Sequence, residues 1–411
     1  MPTTINSSAA ISKRIFNAAL FLESTRLHSL TNMLTGPAPT LTSEERKTKS
    51  QTSSGAPIVR ITDLEKQAGN DVTVDLFAQL RQKPRMGDKK LAGYGASLKS
   101  ASFTLKIDQG RTMVDSGGMM SRQRTEHDLR KVAKSLLTPY YMRLEDQLCV
   151  VHLAGARGSH ADADWIVPLA SDPEFAEIAV NPITPPTFDR HFYGGDATTV
   201  ANIDAADKFS LAAVDKIRLA LDEMAFPIQP IKHPSDPQAE ENPFYLLLVT
   251  PRQWNDFWTS TGGADWRTLQ ARAYERRRDF NHPVFTGDVA MWNNILIRKQ
   301  RLPIRFEAGE TVTVCTNTAN AATTTLQPAV RVERAILIGG QCLANAYGGI
   351  GAKGRRVEES SHFSFNDEET DHKNVIEHSI AWMNGKAKIR FEGTDGRIND
   401  HGCAVLDTAV T

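Results

Sequence analysis

Glycines 349, 351 and 354 form the one nucleotide-like pattern in this chain, GxGxxG. Such a turn lets backbone N–H groups approach a pyrophosphate, but it needs a strand before it, a helix after it and an acidic residue about 20 positions on. Here Arg355 to Phe365 is charged and serine-rich, with no apolar helical face, so no helix N-terminus would meet the phosphates. Asp367, Glu368, Glu369, Asp371 and His372 bring together oxygen and imidazole groups suited to a divalent ion. They lack the Gly-centred spacing of a calcium loop and read as a solvated acidic loop. Arg276, Arg277 and Arg278 have the chemistry to meet phosphate, yet they stand beside Glu275 and Asp279 on a helix-like stretch. Surface pairing or a subunit contact is the expectation there.

Other chemistry is sparse. Cys149, Cys315, Cys342 and Cys403 are far apart, with no CxxC pair or Cys/His cluster, and read as reduced thiols. No GxxxxGK[ST] loop, HExxH helix or GxSxG elbow occurs. Trp254, Trp258, Trp266, Trp292 and Trp382 are too dispersed for a base-stacking platform and suit core packing. The expectation is a protein without catalytic residues, cofactor or metal.

Bulk properties agree. At 411 residues the chain exceeds what one hydrophobic core serves, so two or more packing units are expected. Lys plus Arg and Asp plus Glu both number 48, which removes the bulk attraction a dedicated nucleic-acid binder relies on. The first ten residues are polar, and no stretch approaches the roughly 20 apolar residues of a bilayer span. Cytoplasmic synthesis and assembly, away from membranes, is the expectation.

Residues 11–34 carry an apolar stripe at helical spacing that includes Phe16, Leu20 and Leu27, and run into a Thr-, Ser- and Pro-rich tether. This is an arm, docked either on its own domain or on a neighbour. Val72, Val74 and Leu76, then Phe103, Leu105 and Ile107, alternate with polar residues as half-buried strands do. Between them lies a long loop bearing Arg81, Lys83, Arg85, Lys89, Lys90 and Lys99 against Asp88, with Gly87, Gly93 and Gly95 for bending. Strands on both sides of so long a loop predict an extended basic hairpin tip that docks on an acidic neighbour.

Leu129 to Val151 keeps one apolar face, predicting a helix from Thr125 to Ala154 about 45 Å long, with Thr125 and Asp128 at its N-cap and a bend at Pro139. Residues 155–207 read as mostly irregular connection, followed by a helix from Asp207 to Met224. The run Phe244 to Val249 reads as a buried strand, with a helix start at Thr250-Pro251. Short strands are expected around 295–297, 304–306, 330–338, 386–391 and 403–406, which makes the whole α+β.

The order of arm, basic hairpin, long helix and compact α+β unit resembles the shell subunit of the Hong Kong 97 phage fold. Sharper motifs are similar to the major capsid proteins of short-tailed phages of the N-four kind. They are Pro57-Ile58 with Ile61-Thr-Asp-Leu64, Gly69-Asn-Asp-Val-Thr-Val74, Ile107-Asp108 with Arg111, and above all Gln123-Arg-Thr-Glu-His-Asp-Leu-Arg130. Val151-His-Leu-Ala-Gly-Ala-Arg157, His282-Pro-Val-Phe-Thr-Gly287, Asp367-Glu-Glu-Thr-Asp-His372 and Gly385-Lys-Ala-Lys-Ile-Arg-Phe391 continue the match in order.

The resemblance implies an N-terminal arm over 1–57 and an E-loop hairpin with flanking P-domain strands over 58–120. It further implies a P-domain with its spine helix over 121–204, an A-domain over 205–354, and return strands to the P-domain over 355–411. It also implies self-assembly into hexamers and pentamers of an icosahedral virion shell that takes up double-stranded DNA without sequence specificity. Partners would be the portal protein and, where present, scaffolding and decoration proteins. Candidate contacts between subunits are Arg81, Lys83, Arg85, Lys89, Lys90, Phe16, Leu20 and Leu27. The alternatives are a bacterial compartment shell of the same fold and a cytosolic enzyme with an unrecognised site.

Overall fold

A computed structural model describes residues 30–35, 55–61, 69–77, 83–92, 100–125, 127–161, 164–233, 236, 241–280, 282–349, 363–392 and 396–410. In chain order, α1 (Leu30–Leu34) precedes β1 (Ile58–Ile61), β2 (Asp71–Phe77), β3 (Ser100–Lys106), β4 (Asp108–Gly118), α2 (Met119–Gln123) and α3 (Leu129–Ala154). Then come α4 (Glu174–Ala179), β5 (His191–Tyr193), α5 (Leu211–Glu223), β6 (Tyr245–Val249), α6 (Pro251–Ser260) and α7 (Gly263–Asp279). Strands complete the chain: β7 (Val289–Trp292), β8 (Ile295–Lys299), β9 (Ile304–Phe306), β10 (Val312–Cys315), β11 (Thr323–Leu326) and β12 (Val332–Ile338). After them run β13 (Leu343–Tyr347), β14 (Phe363–Thr370), β15 (Val375–Lys388), β16 (Arg390–Glu392), β17 (Ile398–Asp400) and β18 (Cys403–Ala409).

One sheet of seven strands has the order β5-β18-β12-β6-β8-β7, with β9 on β12. Its strands read as continuous apolar runs because both faces are covered. Tyr245, Leu247 and Val249 of β6 pack with Val214, Ile217, Phe257 and Leu269 of the helices on one side. Leu246 and Leu248 pack with Cys149, Val150 and Leu153 of α3 on the other. A helix start at Thr250-Pro251 is present as a capping box: Gln253 N donates to Thr250 Oγ1 at 3.3 Å, and Thr250 N donates to Gln253 Oε1 at 3.0 Å.

The second sheet has the order β1-β13-β15-β14, with β4 also on β15. Over 375–382, β15 lies between β14 and β4, a three-stranded tongue. Its other half pairs with β13, where the backbone of Gly385 passes so near β3 that a Cβ would meet the Lys106 carbonyl at 1.9 Å. This close approach explains a glycine in that motif.

Helix α3 joins the two units. It begins at Leu129, capped by Asp128, whose Oδ1 accepts from Lys131 N at 3.3 Å. Thr125 is not its cap; its hydroxyl accepts from His127 N instead, too far upstream to reach the first turn. The helix passes through Pro139 unbroken and ends at Gly155, whose φ of 66° gives the left-handed cap. At 26 residues it spans about 39 Å. Up to Arg143 one face is exposed, while from Leu144 to Ala154 every residue is buried.

Several boundaries differ from the sequence reading. The helix expected from Asp207 begins at Leu211, because Lys208 bridges to Ala409 at the sheet and Asp207 accepts from Asp204 N. Residues 155–207 hold α4, β5 and two short 3-10 turns, Phe188–Arg190 and Val200–Asn202, within otherwise irregular chain. The strand expected at 386–391 is broken at Ile389, whose N–H turns to the Cys342 carbonyl. Arg276 is not on the surface: it is buried and paired with Asp236, a carboxylate distant in sequence. Trp254, Trp266 and Trp382 are in cores, whereas Trp258 is exposed. All four cysteines are free and buried.

Candidate assembly surfaces

The arm is tied to the spine helix at its root. Asp146, buried on α3, accepts from Leu30 N at 3.0 Å, Thr31 N at 2.9 Å and Thr31 Oγ1 at 2.9 Å. A carboxylate at the start of α1 satisfies donors that a helix N-terminus leaves free. Burial pushes the Asp146 carboxyl above its ordinary value, against the opposing pull of those N–H groups. Thr35 then bridges to Ile58, and Leu34 enters the core. Residues 30–35 therefore dock on their own chain. Phe16, Leu20 and Leu27 lie outside the described residues.

Polar side chains fix the buried half of α3 from all sides. Glu145 accepts from Lys386 and Asn384, both at 2.6 Å. Gln147 bonds the backbone at Asp164, Ile166 and Val167. Arg334, with no exposed area, donates to both Asp407 oxygens at 2.7 Å and to the terminal Ala154 carbonyl at 3.0 Å. Burial alone would raise the Asp407 carboxyl, but Arg334, aided by His191, holds it well below the usual carboxylate range. The Arg334–Asp407 pair thereby ties the C-terminal end of α3 to the seven-stranded sheet.

Strands β2 and β3 form the expected hairpin, in register from Asp71–Lys106 to Phe77–Ser100. One face, with Val72, Val74, Leu76 and Phe103, packs on the core that holds Val59, Ile61, Ala344 and Phe391. The tip, described over 83–92, stands in solvent: Lys83, Lys89 and Lys90 are exposed and Arg85 is half-buried. Arg81 lies outside the described residues. Sequence reasoning attended to the charge here and passed over Met86, 73% exposed, and Leu91, 70% exposed. These apolar side chains were visible in the loop, but no periodicity marks a loop residue as outward-facing.

The acidic segment is not a loop. Asp367, Glu368 and Glu369 lie in β14, and Asp371, His372 and Lys373 make the turn into β15 with positive φ. Glu368, Glu369 and Asp371 are exposed at this hairpin end, while Asp367 is held by His378 at 2.7 Å and by Arg130. Period-2 alternation of Ile376, His378, Ile380 and Trp382 carried the missed strand signal. Met113 on the other edge of the tongue, and Met119 and Met120 in α2 after it, are exposed. Of the GxGxxG pattern, Gly351 and Gly354 lie outside the described residues. Among the described residues, no group of three or more His, Cys, Asp or Glu is arranged to hold a metal, and no helix is long and apolar enough to cross a membrane.

The hairpin tip and the end of the tongue are both exposed to solvent. The phage capsid protein family matches residues 2–411. No curated protein is significantly similar. The chain is similar to the capsid of Ralstonia phage GP4, at 26% identity and a TM-score of 0.74, over 100% of this chain and 99% of that one. The cyanophage Pam1 capsid matches at 17% identity and a TM-score of 0.63, over 100% and 99%. The head of Helicobacter pylori bacteriophage KHP40 matches at 14% and 0.60, over 100% and 98%. These last two share the fold, α+β of the Hong Kong 97 type. With a family match over all but its first residue, a spine helix joining two sheets and a hairpin projecting from one of them, this chain belongs to the phage capsid protein family as a major, shell-forming subunit.

Proposed function

We propose that copies of this chain close as hexamers and pentamers into an icosahedral shell around double-stranded DNA, assembled in the host cytoplasm and filled through a portal protein. Its role is association, with no chemical step. One observation carries this reading: the β2–β3 hairpin is anchored at its base, while its tip offers basic and apolar side chains to solvent. Such a tip gains stability only when a neighbour covers it.

The acceptor is the β14–β15 end of an adjacent copy. Lys83, Arg85, Lys89 and Lys90 on the tip complement Glu368, Glu369 and Asp371 there. Each exposed ion pair contributes only about 0–1 kcal/mol. Covering Met86 or Leu91 contributes about 1.5–3 kcal/mol each. The apolar pair therefore supplies most of the attraction, and the charges set orientation and encounter rate. Repetition around a closed shell multiplies contacts too weak to hold one pair of subunits. In this scheme residues 1–57 are the arm, 58–120 the hairpin unit, 121–204 the P-domain, 205–354 the A-domain and 355–411 the return; Phe16, Leu20 and Leu27 of the arm contact a neighbouring subunit.

Electron microscopy of the purified full-length protein tests the reading, with nuclease-protected DNA measured on particles from infected cells. Regular shells, tubes or capsomers, with DNA inside the infected-cell particles, are expected. A persistent monomer at high concentration would overturn it.

A further inference from the structure

A cavity of about 730 Å³ opens between the spine helix α3, the end of β8 with the loop that follows it, and the start of α6. Leu30 and Met33 of the arm root close one side. Six cationic side chains line it: Arg143, Arg252, Arg298, Lys299, Arg301 and Arg305. Three carboxylates join them, and Arg305 is in addition paired with the buried Glu333. Asp146 is committed to the arm, Asp164 sits 3.6 Å from Arg143, and Asp288 sits 3.2 Å from Lys299. In a chain of zero net charge this is a local concentration of positive charge.

One side chain of the lining lacks partners that its burial calls for. Gln300 is 7% exposed, and among the described residues neither its Nε2 nor its Oε1 has a hydrogen-bond partner. Arg298 gives Nη1 to the carbonyls of Pro283 and Val284, at 2.7 and 2.8 Å, and no carboxylate pairs with it among the described residues. Burial lowers its guanidinium from the ordinary value. Arg298 lies on the face of β8 that carries Leu296 towards the spine helix, and Gln300, the first residue after the strand, lines the same cavity. Buried polar groups are almost always satisfied, and an orphaned amide beside an unneutralised guanidinium marks a place shaped for something else.

We infer that this cavity binds a phosphate group. A phosphate oxygen accepts from Arg298 and from Gln300 Nε2, and the P–OH of a protonated phosphate or phosphate monoester donates to Gln300 Oε1. Planar guanidinium groups match phosphate geometry in pairs. Pro251 and Arg252, the first residues of α6, line the same space. The volume accommodates a nucleotide or an oligophosphate. A DNA backbone offers the same oxyanions without the P–OH.

Thermal melting of the full-length protein at constant ionic strength tests this with inorganic phosphate, tripolyphosphate and ATP, and with a DNA duplex lacking terminal phosphates. The wild type should show a saturable rise in melting temperature. In Arg298→Met and in Gln300→Leu, half-saturation should move up by about tenfold or more, the loss expected for one charge-assisted hydrogen bond. Gln300→Leu removes two unpaired polar atoms and should fold at least as well as the wild type, so it decides the matter if Arg298→Met does not fold. Response to the duplex, lost in the variants, identifies the nucleic-acid backbone as the source; response to tripolyphosphate or ATP alone identifies a free phosphate compound. No saturable shift in the wild type, an unchanged midpoint in Gln300→Leu, or a larger shift with a peptide of residues 366–372 would overturn the inference.

Discussion

Replacing Asp146 with Ala should release the arm root while leaving both sheets intact. The carboxylate accepts three hydrogen bonds from Leu30 and Thr31, at 2.9–3.0 Å. Bonds to a charged acceptor contribute about 1.5–3 kcal/mol each. Against their sum stands the cost of burying the carboxylate, which is evident in its raised pKa. Removing the charge recovers that cost, and water reaches the partly exposed Leu30 N–H, so a net loss of about 3 kcal/mol is reasonable. At 1.4 kcal/mol per factor of ten, the arm root should open about 100-fold more often. Amide hydrogen exchange at Thr31 and Thr35 reads this directly, because both N–H groups are bonded only when α1 is formed and docked. Thr31→Val, which removes one hydroxyl bond, should raise exchange only about tenfold. Unchanged protection in Asp146→Ala would refute the claim that this carboxylate ties the arm to the spine helix.

Other perturbations probe the remaining contacts. Reversing Lys89 and Lys90 to Glu should slow shell assembly, and adding Glu368→Lys with Glu369→Lys should restore it; light-scattering kinetics without rescue would count against the proposed tip and tongue pairing. Lys386→Met strands the buried Glu145 carboxylate and should cost about 3–5 kcal/mol in urea unfolding, as broken buried pairs do. His152 is kept neutral by burial, with Lys386 adding to the effect, and its pKa is lowered to about 3. The unfolded chain takes up that proton near pH 6.5, so stability should fall as pH drops from about 6.5 towards 3, by at most about 1.4 kcal/mol per unit. His152→Gln should flatten that slope in a melting series; an unaltered slope would remove His152 as a cause.

Local patterns alone specified much of this protein. Alternation at 72–76 and 103–105 marked the hairpin, the apolar face through 129–151 marked the spine helix even across Pro139, and Thr250-Pro251 marked a helix start. Each depends on interactions within a few residues, where spacing is enough. The motif run from Gln123 to Arg130 and its companions pointed to the phage capsid family, as the family match over residues 2–411 bears out. Tertiary structure decided what depends on distant partners. Whether the polar run Glu145-Asp146-Gln147 faced water or the core was settled by Lys386, Thr31 and Asp164, up to 241 residues away. Arg276, read as surface, is buried because Asp236 lies opposite it. The segment 367–372 became strand and turn because β15 was available to pair with it. The orphaned amide of Gln300 has no sequence signature at all, since burial without a partner is a property of three-dimensional neighbours and not of spacing.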